Sequence, residues 1–233
     1  MTKNNKLFFS LIGIFLFIEI ILGVFIQIIP SPHKLQYLSV ALACIFCFLF
    51  VEKSKSYLFT QIALLCTVGA DFFLIIVSPI NQLVGMIFFS GTQIAYFLRI
   101  YFEQNNKKTR KIHLIARVIA IIITIAATFL VLGAKTDALA LVSMFYYANL
   151  ILNIVFAFAN FKNSKILAIG LVCFAICDTF IGFANMGPYM GISENSLIYK
   201  LLNLNVDLSW LFYVPSQTLL AISLLPNKLK KRV

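Results

Sequence analysis

Residues 7–29 read LFFSLIGIFLFIEIILGVFIQII, a run of 23 residues in which Glu19 is the one ionisable side chain. A transmembrane helix needs about 20 mostly apolar residues, because the hydrocarbon core is about 30 Å thick and a helix rises about 1.5 Å per residue. This run is therefore long and apolar enough to cross a bilayer. It has no small-residue cleavage site, so we expect it to be retained rather than removed as a signal peptide.

The rest of the chain has the same apolar character. Of its 233 residues, 61% are hydrophobic and 12% are charged, against about 45–50% and about 25% in average globular proteins. A soluble domain of this size could not bury so much apolar surface. The composition therefore excludes an ordinary cytosolic enzyme, a disordered chain and a secreted disulfide scaffold. It predicts an all-α, polytopic membrane protein.

Seven further apolar stretches follow the first one, and the connections between them are short. Pro30, Pro32, Pro79 and Pro188 interrupt the pattern between stretches. We expect one integral membrane domain over residues 1–233, an eight-helix bundle. The predicted spans are 7–29, 35–51, 57–77, 82–102, 112–133, 138–160, 165–186 and 200–225.

The basic residues collect on one side of this eight-span arrangement. The side of the N-terminus holds 14 Lys and Arg, whereas the opposite side holds 3, namely Lys34, Lys135 and Lys200. Cytoplasmic loops carry an excess of Lys and Arg, so both termini are predicted to be cytoplasmic. Arg99 and Arg117 lie inside spans, near enough to that side to snorkel there.

The net charge of +11 is thus explained by topology, and we expect no specific nucleic-acid binding, although the basic tail can contact anionic membrane lipid. The bias toward Lys, Asn, Ile and Phe is typical of an AT-rich genome. It favours a bacterial cytoplasmic membrane as the location.

The five cysteines all fall within predicted spans. Cys44 and Cys47 form a C-x-x-C pattern, but a redox or metal site needs a polar, solvent-reachable setting and further ligands. We therefore interpret the cysteines as small packing residues. The sequence contains no metal-binding cluster, Walker A loop, G-x-G-x-x-G or G-x-S-x-G motif.

Two segments of the chain resemble each other. Residues 63–73, ALLCTVGADFF, align without gaps with residues 170–180, GLVCFAICDTF. The third and seventh spans both begin at the cytoplasmic face, so Asp71 and Asp178 should lie at the same depth, roughly 20 Å from that face. A carboxyl inside the membrane costs free energy, so its presence there indicates a structural or functional role. Two such carboxyls can approach each other if both face the bundle interior, and we favour a functional role for Asp71 and Asp178 over a helix-packing hydrogen bond.

Other polar residues also lie within the spans, and most such residues join helices by hydrogen bonds. Their number in so apolar a chain indicates a hydrated pocket, beside Pro215, which frees a backbone carbonyl. Glu19 fits either an interhelical hydrogen bond or a place in this pocket. The predicted pocket residues are Gln93, Tyr96, Tyr147, Asn149, Asn153, Tyr213, Ser216 and Gln217.

Four stretches, LLCTVGADFFLI, GMIFFSGTQIAYF, LVCFAICDTFIGF and LFYVPSQTLLA, resemble in order the YhhN/TMEM86 family of membrane lysoplasmalogenases. That family has eight spans, with an aspartate in the third and another in the seventh, which Asp71 and Asp178 match. The last motif matches as Tyr213 and Gln217, and Tyr147 fits the tyrosine of the sixth span.

The resemblance has departures. Ala70 replaces a glycine, Cys177 replaces a serine, and Leu35 replaces the proline of a Lys-Pro pair whose lysine is Lys34. Gln93 replaces a histidine, and Gln cannot carry a proton at neutral pH, although it can orient a water or a headgroup oxygen.

The resemblance implies hydrolysis of the vinyl ether bond of a lysophospholipid, which gives a fatty aldehyde and a glycerophospho-headgroup. This reaction requires no metal or cofactor. Two carboxyls can divide its acid and base roles, because burial and like-charge repulsion keep one protonated while the other ionises. We expect Lys34 to contact the headgroup. Two other classes remain open, a proton-coupled transporter and a non-catalytic lipid-binding protein.

Overall fold

The computed structural model describes residues 3–49, 54–190 and 195–225, and in these ranges all the regular structure is helical. This confirms the all-α class. The α-helices are α1 (Lys3–Ile28), α2 (His33–Leu49), α3 (Lys55–Asp71), α4 (Gln82–Glu103), α5 (Lys107–Leu132), α6 (Ala138–Ala159), α7 (Phe161–Met190), α8 (Leu197–Leu202) and α9 (Leu208–Ile222).

Polar side chains fix where most of these helices begin. A Ser, Asn or Asp precedes the first helical residue and accepts a hydrogen bond from a backbone N–H that has no partner within the helix. The residues that cap helices in this way are Ser54, Asn81, Asn106, Asp137, Ser196 and Asp207.

Within the described ranges, six helices are long and apolar enough to cross a membrane, so the chain is an integral membrane protein. The predicted second and eighth spans correspond to two shorter apolar helices, α2 with 17 residues and α9 with 15. The helix at the predicted eighth span, α9, begins at Leu208 rather than at residue 200, since a break at residues 203–207 separates it from α8. The number of crossings and the side of the termini remain predictions; Lys53 and the basic residues 228–232 lie outside the described residues.

Six helices form a closed ring. Going round it, α3 packs on α4, α4 on α6, α6 on α7, α7 on α9, α9 on α2, and α2 on α3. Helix α9 also touches α3 directly. Helix α1 packs outside the ring against α2 and α9, and α5 packs outside it against α6. Most of the surface of α5 is exposed and apolar, as expected for a helix that faces lipid.

The end of α3 has an unusual conformation. Asp71 is its last α-helical residue, and the chain continues as a π-helical turn, Phe72–Ile76. Leu74 of this turn packs so closely on Gly85 of α4 that a Cβ at residue 85 would lie 2.5 Å from the Leu74 Cγ atom. Single π-helical turns occur often at functional sites. Here the turn fixes the end of α3, and with it Asp71, against α4.

Candidate functional site

Asp71 lies in the interior of the ring, with 3% of its surface exposed. Its Oδ2 atom accepts a hydrogen bond of 2.7 Å from the hydroxyl of Tyr213, which α9 presents from across the bundle. Tyr213 is itself buried, and the ring of Trp210 packs edge-on against it. The sequence-predicted residues Asp71 and Tyr213 are thus direct partners.

Asp178 has the same kind of partner on the other side of the bundle. Its Oδ2 atom accepts a hydrogen bond from the hydroxyl of Tyr146, a buried residue of α6. Asp178 is partly buried as a residue, whereas Asp71 is buried.

The two carboxyls lie close enough to interact electrostatically. Phe174 of α7 packs between the two tyrosines, with ring centroids 5.5 Å from Tyr213 and 6.3 Å from Tyr146. Helices α3, α6, α7 and α9 therefore assemble one carboxyl–tyrosine site. We define this site as Asp71, Asp178, Tyr146 and Tyr213.

Tyr146 was missed in the sequence analysis, which chose the adjacent Tyr147. In the structure the Tyr147 hydroxyl lies 3.0 Å from the Oγ1 atom of Thr179, one residue past Asp178. A signal for Tyr146 was present, because it lies three residues before Asn149 and seven before Asn153, and such spacing places all three on one face of a helix.

Three of the predicted pocket residues belong to a second polar cluster. The guanidinium of Arg117 donates hydrogen bonds to the Oδ1 atoms of Asn149 and Asn153, the latter at 2.7 Å. Asn153 in turn donates to the Oε1 atom of Gln93 at 3.0 Å. Arg117 is therefore buried inside the protein and does not reach the cytoplasmic side as expected.

Arg99 is also buried inside the bundle rather than snorkelling. It donates to Thr60 at 3.0 Å and forms an ion pair of 3.2 Å with Glu103. Glu19 accepts a hydrogen bond of 2.6 Å from Ser39, which joins α1 to α2. Arg99 and Glu19 therefore each form a hydrogen bond between two helices.

Three other predicted pocket residues are buried, but their side chains make no hydrogen bond to the described residues. Gln217 is fully buried, and neither its Nε2 nor its Oε1 atom has a hydrogen-bond partner among the described residues. The same holds for the hydroxyls of Tyr96 and Ser216. Lys34 is exposed at the start of α2, three residues before Tyr37, whose ring lies 6.2 Å from that of Phe72 beside Asp71.

The described part of the chain has no group of three or more His, Cys, Asp or Glu side chains placed to hold a metal ion. Its five cysteines are free thiols, three of them buried. The carboxyls of the site can carry out acid–base chemistry. Its tyrosine and amide groups can form hydrogen bonds to a ligand.

Fold and site together define an integral helical membrane protein whose ring of helices encloses a pair of carboxyls, each held by a tyrosine. A family model matches this chain over residues 33–224, and the protein belongs to the YhhN family. Helix α1 lies outside the matched range. No curated protein and no solved structure matches the chain.

Proposed function

We propose that this protein is a membrane hydrolase that cleaves the vinyl ether bond of lysoplasmalogens. The observation that carries the proposal is the carboxyl–tyrosine site, where Asp71 and Asp178 interact with each other and with separate tyrosines inside an apolar bundle. Membership of the YhhN family, together with the resemblance to membrane lysoplasmalogenases, supports this reaction for the site.

The reaction begins with the transfer of a proton from one of the two carboxyls to the substrate. One carboxyl of the pair carries it, because two negative charges so close together in an apolar interior cannot both persist at low cost. The protonated carboxyl donates the proton to the β-carbon of the vinyl ether, and the carbon–carbon double bond becomes a single bond. The α-carbon and the ether oxygen then share the positive charge of an oxocarbenium ion, which the ionised carboxyl stabilises.

Water completes the cleavage. The ionised carboxyl takes a proton from water as its oxygen bonds to the α-carbon, which gives a hemiacetal. The bond between this carbon and the glycerol oxygen then breaks. A proton moves from the hemiacetal hydroxyl through the carboxyl pair to the glycerol oxygen, which leaves a fatty aldehyde and a glycerophospho-headgroup. Both carboxyls return to their first states.

The tyrosines and Gln217 position the reacting groups. Tyr146 and Tyr213 each donate to one carboxyl oxygen and so fix the orientation of the acid and the base. Gln217 lies one helical turn from Tyr213 and has a free donor and a free acceptor, so we assign it to the attacking water or to a glycerol oxygen. Lys34, exposed at the start of α2, offers a positive charge to the headgroup phosphate.

The decisive experiment replaces each aspartate in turn. We expect Asp71→Asn and Asp178→Asn to abolish aldehyde release from lysoplasmenylethanolamine by purified protein, because Asn can neither donate nor accept the proton. Glu19→Gln is the matched control. It also removes a buried membrane carboxyl but one that bonds to Ser39, and it should keep turnover within about twofold of the unsubstituted protein.

The results for the two Asn variants distinguish a hydrolase from a transporter. Near-normal activity of either Asn variant would contradict the paired-carboxyl mechanism. If the unsubstituted protein releases no aldehyde but moves a solute across sealed vesicles, and both Asn variants stop that movement, the site belongs to a proton-coupled transporter. Elution of both variants as monodisperse peaks on size exclusion checks that the substitutions leave the fold intact.

A further inference from the structure

Arg117 is a buried cation without a counter-charge. Its exposure is 7%, and the described acids all have other partners: Glu19 with Ser39, Asp71 and Asp178 with tyrosines, Glu103 with Arg99, and Asp137 and Asp207 with helix N-termini. A charge of this kind within a membrane-spanning segment is costly and usually marks a functional site.

The groups that do touch the guanidinium are neutral. Two are the amide oxygens of Asn149 and Asn153. A third is the Nε2 atom of His113 at 3.0 Å, which must accept because arginine has no acceptor, so this histidine is uncharged. The fourth is the ring of Phe97, whose centroid lies 4.2 Å from the Arg117 Cζ atom. The positive charge is therefore solvated but not compensated.

Two donors in the same cluster have no acceptor. They are the Nε atom of Arg117 and the Nε2 atom of Gln93, both buried and without a hydrogen-bond partner among the described residues. Asn153 links them, because it accepts from Arg117 and donates to the Oε1 atom of Gln93. A ligand that satisfies this cluster must supply acceptor atoms and negative charge.

An apolar groove of about 380 Å³ lies next to the cluster. It is formed by α4, α5 and α6: α4 and α5 both pack on α6, and at the cationic end Phe97 of α4 packs against Arg117 of α5. The residues that line it are Ile87, Ser90, Ile125, Leu141, Val142 and Phe145.

The groove and the cluster are neighbours along α4 and α6. Ser90 lies three residues before Gln93 on α4, and Phe145 lies four residues before Asn149 on α6, so each pair shares a helix face. The Asn149 amide also donates to the Phe145 carbonyl oxygen at 2.7 Å. The apolar groove therefore ends about one helical turn from the buried cationic cluster.

We propose that this groove and the cluster form a binding site for a single-chain lipid with an anionic head, either a long-chain carboxylate or a phosphate monoester. The chain occupies the groove and the head accepts hydrogen bonds from Arg117 and Gln93. In the predicted topology the cationic end faces the cytoplasmic side, so the ligand has the orientation of a lipid of the cytoplasmic leaflet. The site is separate from the carboxyl–tyrosine site and does not depend on the proposed hydrolysis.

Equilibrium binding to the full chain in phosphatidylcholine nanodiscs tests this proposal. The probes are oleate, oleyl phosphate and oleyl alcohol, which share one chain and differ in the head, and empty nanodiscs give the background. We expect saturable binding of at least one anion and at least tenfold weaker binding of the alcohol. Comparison of the two anions shows which head the site prefers.

Three substitutions locate the site. Arg117→Gln should weaken anion binding at least tenfold, and so should Val142→Trp, which fills the groove while leaving Arg117 in place. Val155→Trp is the matched control, since it adds the same bulk to an exposed position of the same helix, and it should bind like the unsubstituted protein.

Equal binding of alcohol and anions would overturn the proposal, and so would unchanged anion binding by Arg117→Gln. Unchanged binding by Val142→Trp would overturn it as well. If Arg117→Gln does not fold, the comparison of Val142→Trp with Val155→Trp decides the question alone.

Discussion

At the scale of single residues, the hydroxyl of Tyr146 distinguishes the structure from the sequence prediction. Two adjacent helical residues point about 100° apart, so only one of Tyr146 and Tyr147 can face Asp178. We expect Tyr146→Phe to lower the turnover number about 10- to 100-fold, because a hydrogen bond to a charged group contributes about 1.5–3 kcal/mol. Initial rates of aldehyde release at saturating substrate measure this loss.

Tyr147→Phe is the matched control, since it removes the hydroxyl that lies near Thr179. Its loss of turnover should be at least tenfold smaller than that of Tyr146→Phe. Equal losses in the two variants would mean that the hydroxyl on Asp178 has no special role in the reaction.

Gln217 gives a second test at this scale. Its amide is buried without a partner, and an unsatisfied buried polar group costs about 1–3 kcal/mol. Gln217→Leu should therefore keep or raise the melting temperature in detergent while it lowers turnover. If Gln217 had only a structural role, the substitution would change the melting temperature and the turnover number in the same direction.

The control for this test is Gln61→Leu. Gln61 is also buried with an unpartnered Nε2 atom, but it lies ten residues from Asp71 on α3, roughly 15 Å along the helix axis. This variant should show the same thermal behaviour as Gln217→Leu with unchanged turnover. A comparable loss of activity in Gln61→Leu would argue against a specific task for Gln217.

The sequence could place polar residues at a depth but could not say which way each helix is rotated. Depth follows from counting residues along an apolar span, and on this basis Asp71 and Asp178 are predicted to lie at one level. Rotation depends on packing between helices distant in sequence. For this reason Asn149, Asn153 and Gln93 were expected beside the aspartates, whereas the structure engages them with Arg117.

At the scale of helices, the contact between α4 and the π-helical turn after Asp71 is the tightest that a glycine makes in the described ranges. A Cβ on Gly85 would lie 2.5 Å from the Leu74 Cγ atom. Gly85→Ala should therefore lower the free energy of unfolding by about 1–3 kcal/mol, the usual cost of overpacking. It should also lower turnover, because Leu74 follows Asp71 by three residues.

Gly182→Ala in α7 is the control for Gly85→Ala. A Cβ at residue 182 meets nothing within 4 Å, and Ala is favoured over Gly in a helix by about 1 kcal/mol. Thermal unfolding in one detergent compares the two variants. A Gly85→Ala protein as stable and active as Gly182→Ala would show that α3 and α4 tolerate a wider separation.

The start of α9 shows that a hydropathy average can misplace the boundary of a helix. Leucine and valine alternate with polar residues over 203–207, so an average over a long window passes across the break. The capping pattern carries better information, since Asp207 accepts from the N–H groups of Ser209 and Trp210 and starts α9 at Leu208. Local polar contacts set this boundary and apolar content does not.

At the scale of the whole molecule, the two shorter helices decide the topology. With 17 and 15 residues, α2 and α9 extend roughly 25 Å and 22 Å, less than the hydrocarbon core of about 30 Å. Both pack against α1 and against each other, so protein rather than lipid surrounds much of them. A helix shorter than the hydrocarbon core can cross where the bilayer is locally thinner. The 14-to-3 charge distribution predicts a topology in which both helices cross.

Single introduced cysteines test this topology in intact cells. Ser31→Cys and Ala134→Cys, in the loops after α1 and α5, should react with a membrane-impermeant maleimide from outside. Asn105→Cys, in the loop after α4, should react only after permeabilisation, and the parent chain with its five native cysteines gives the background. Because Ser31 and Ala134 are separated by α2, α3, α4 and α5, their exposure on one side requires an even number of crossings between them. Labelling of both Ser31→Cys and Asn105→Cys in intact cells would contradict a crossing by each of α2, α3 and α4. Labelling of Asn105→Cys without Ser31→Cys would reverse the orientation on which the predicted depth of both aspartates rests.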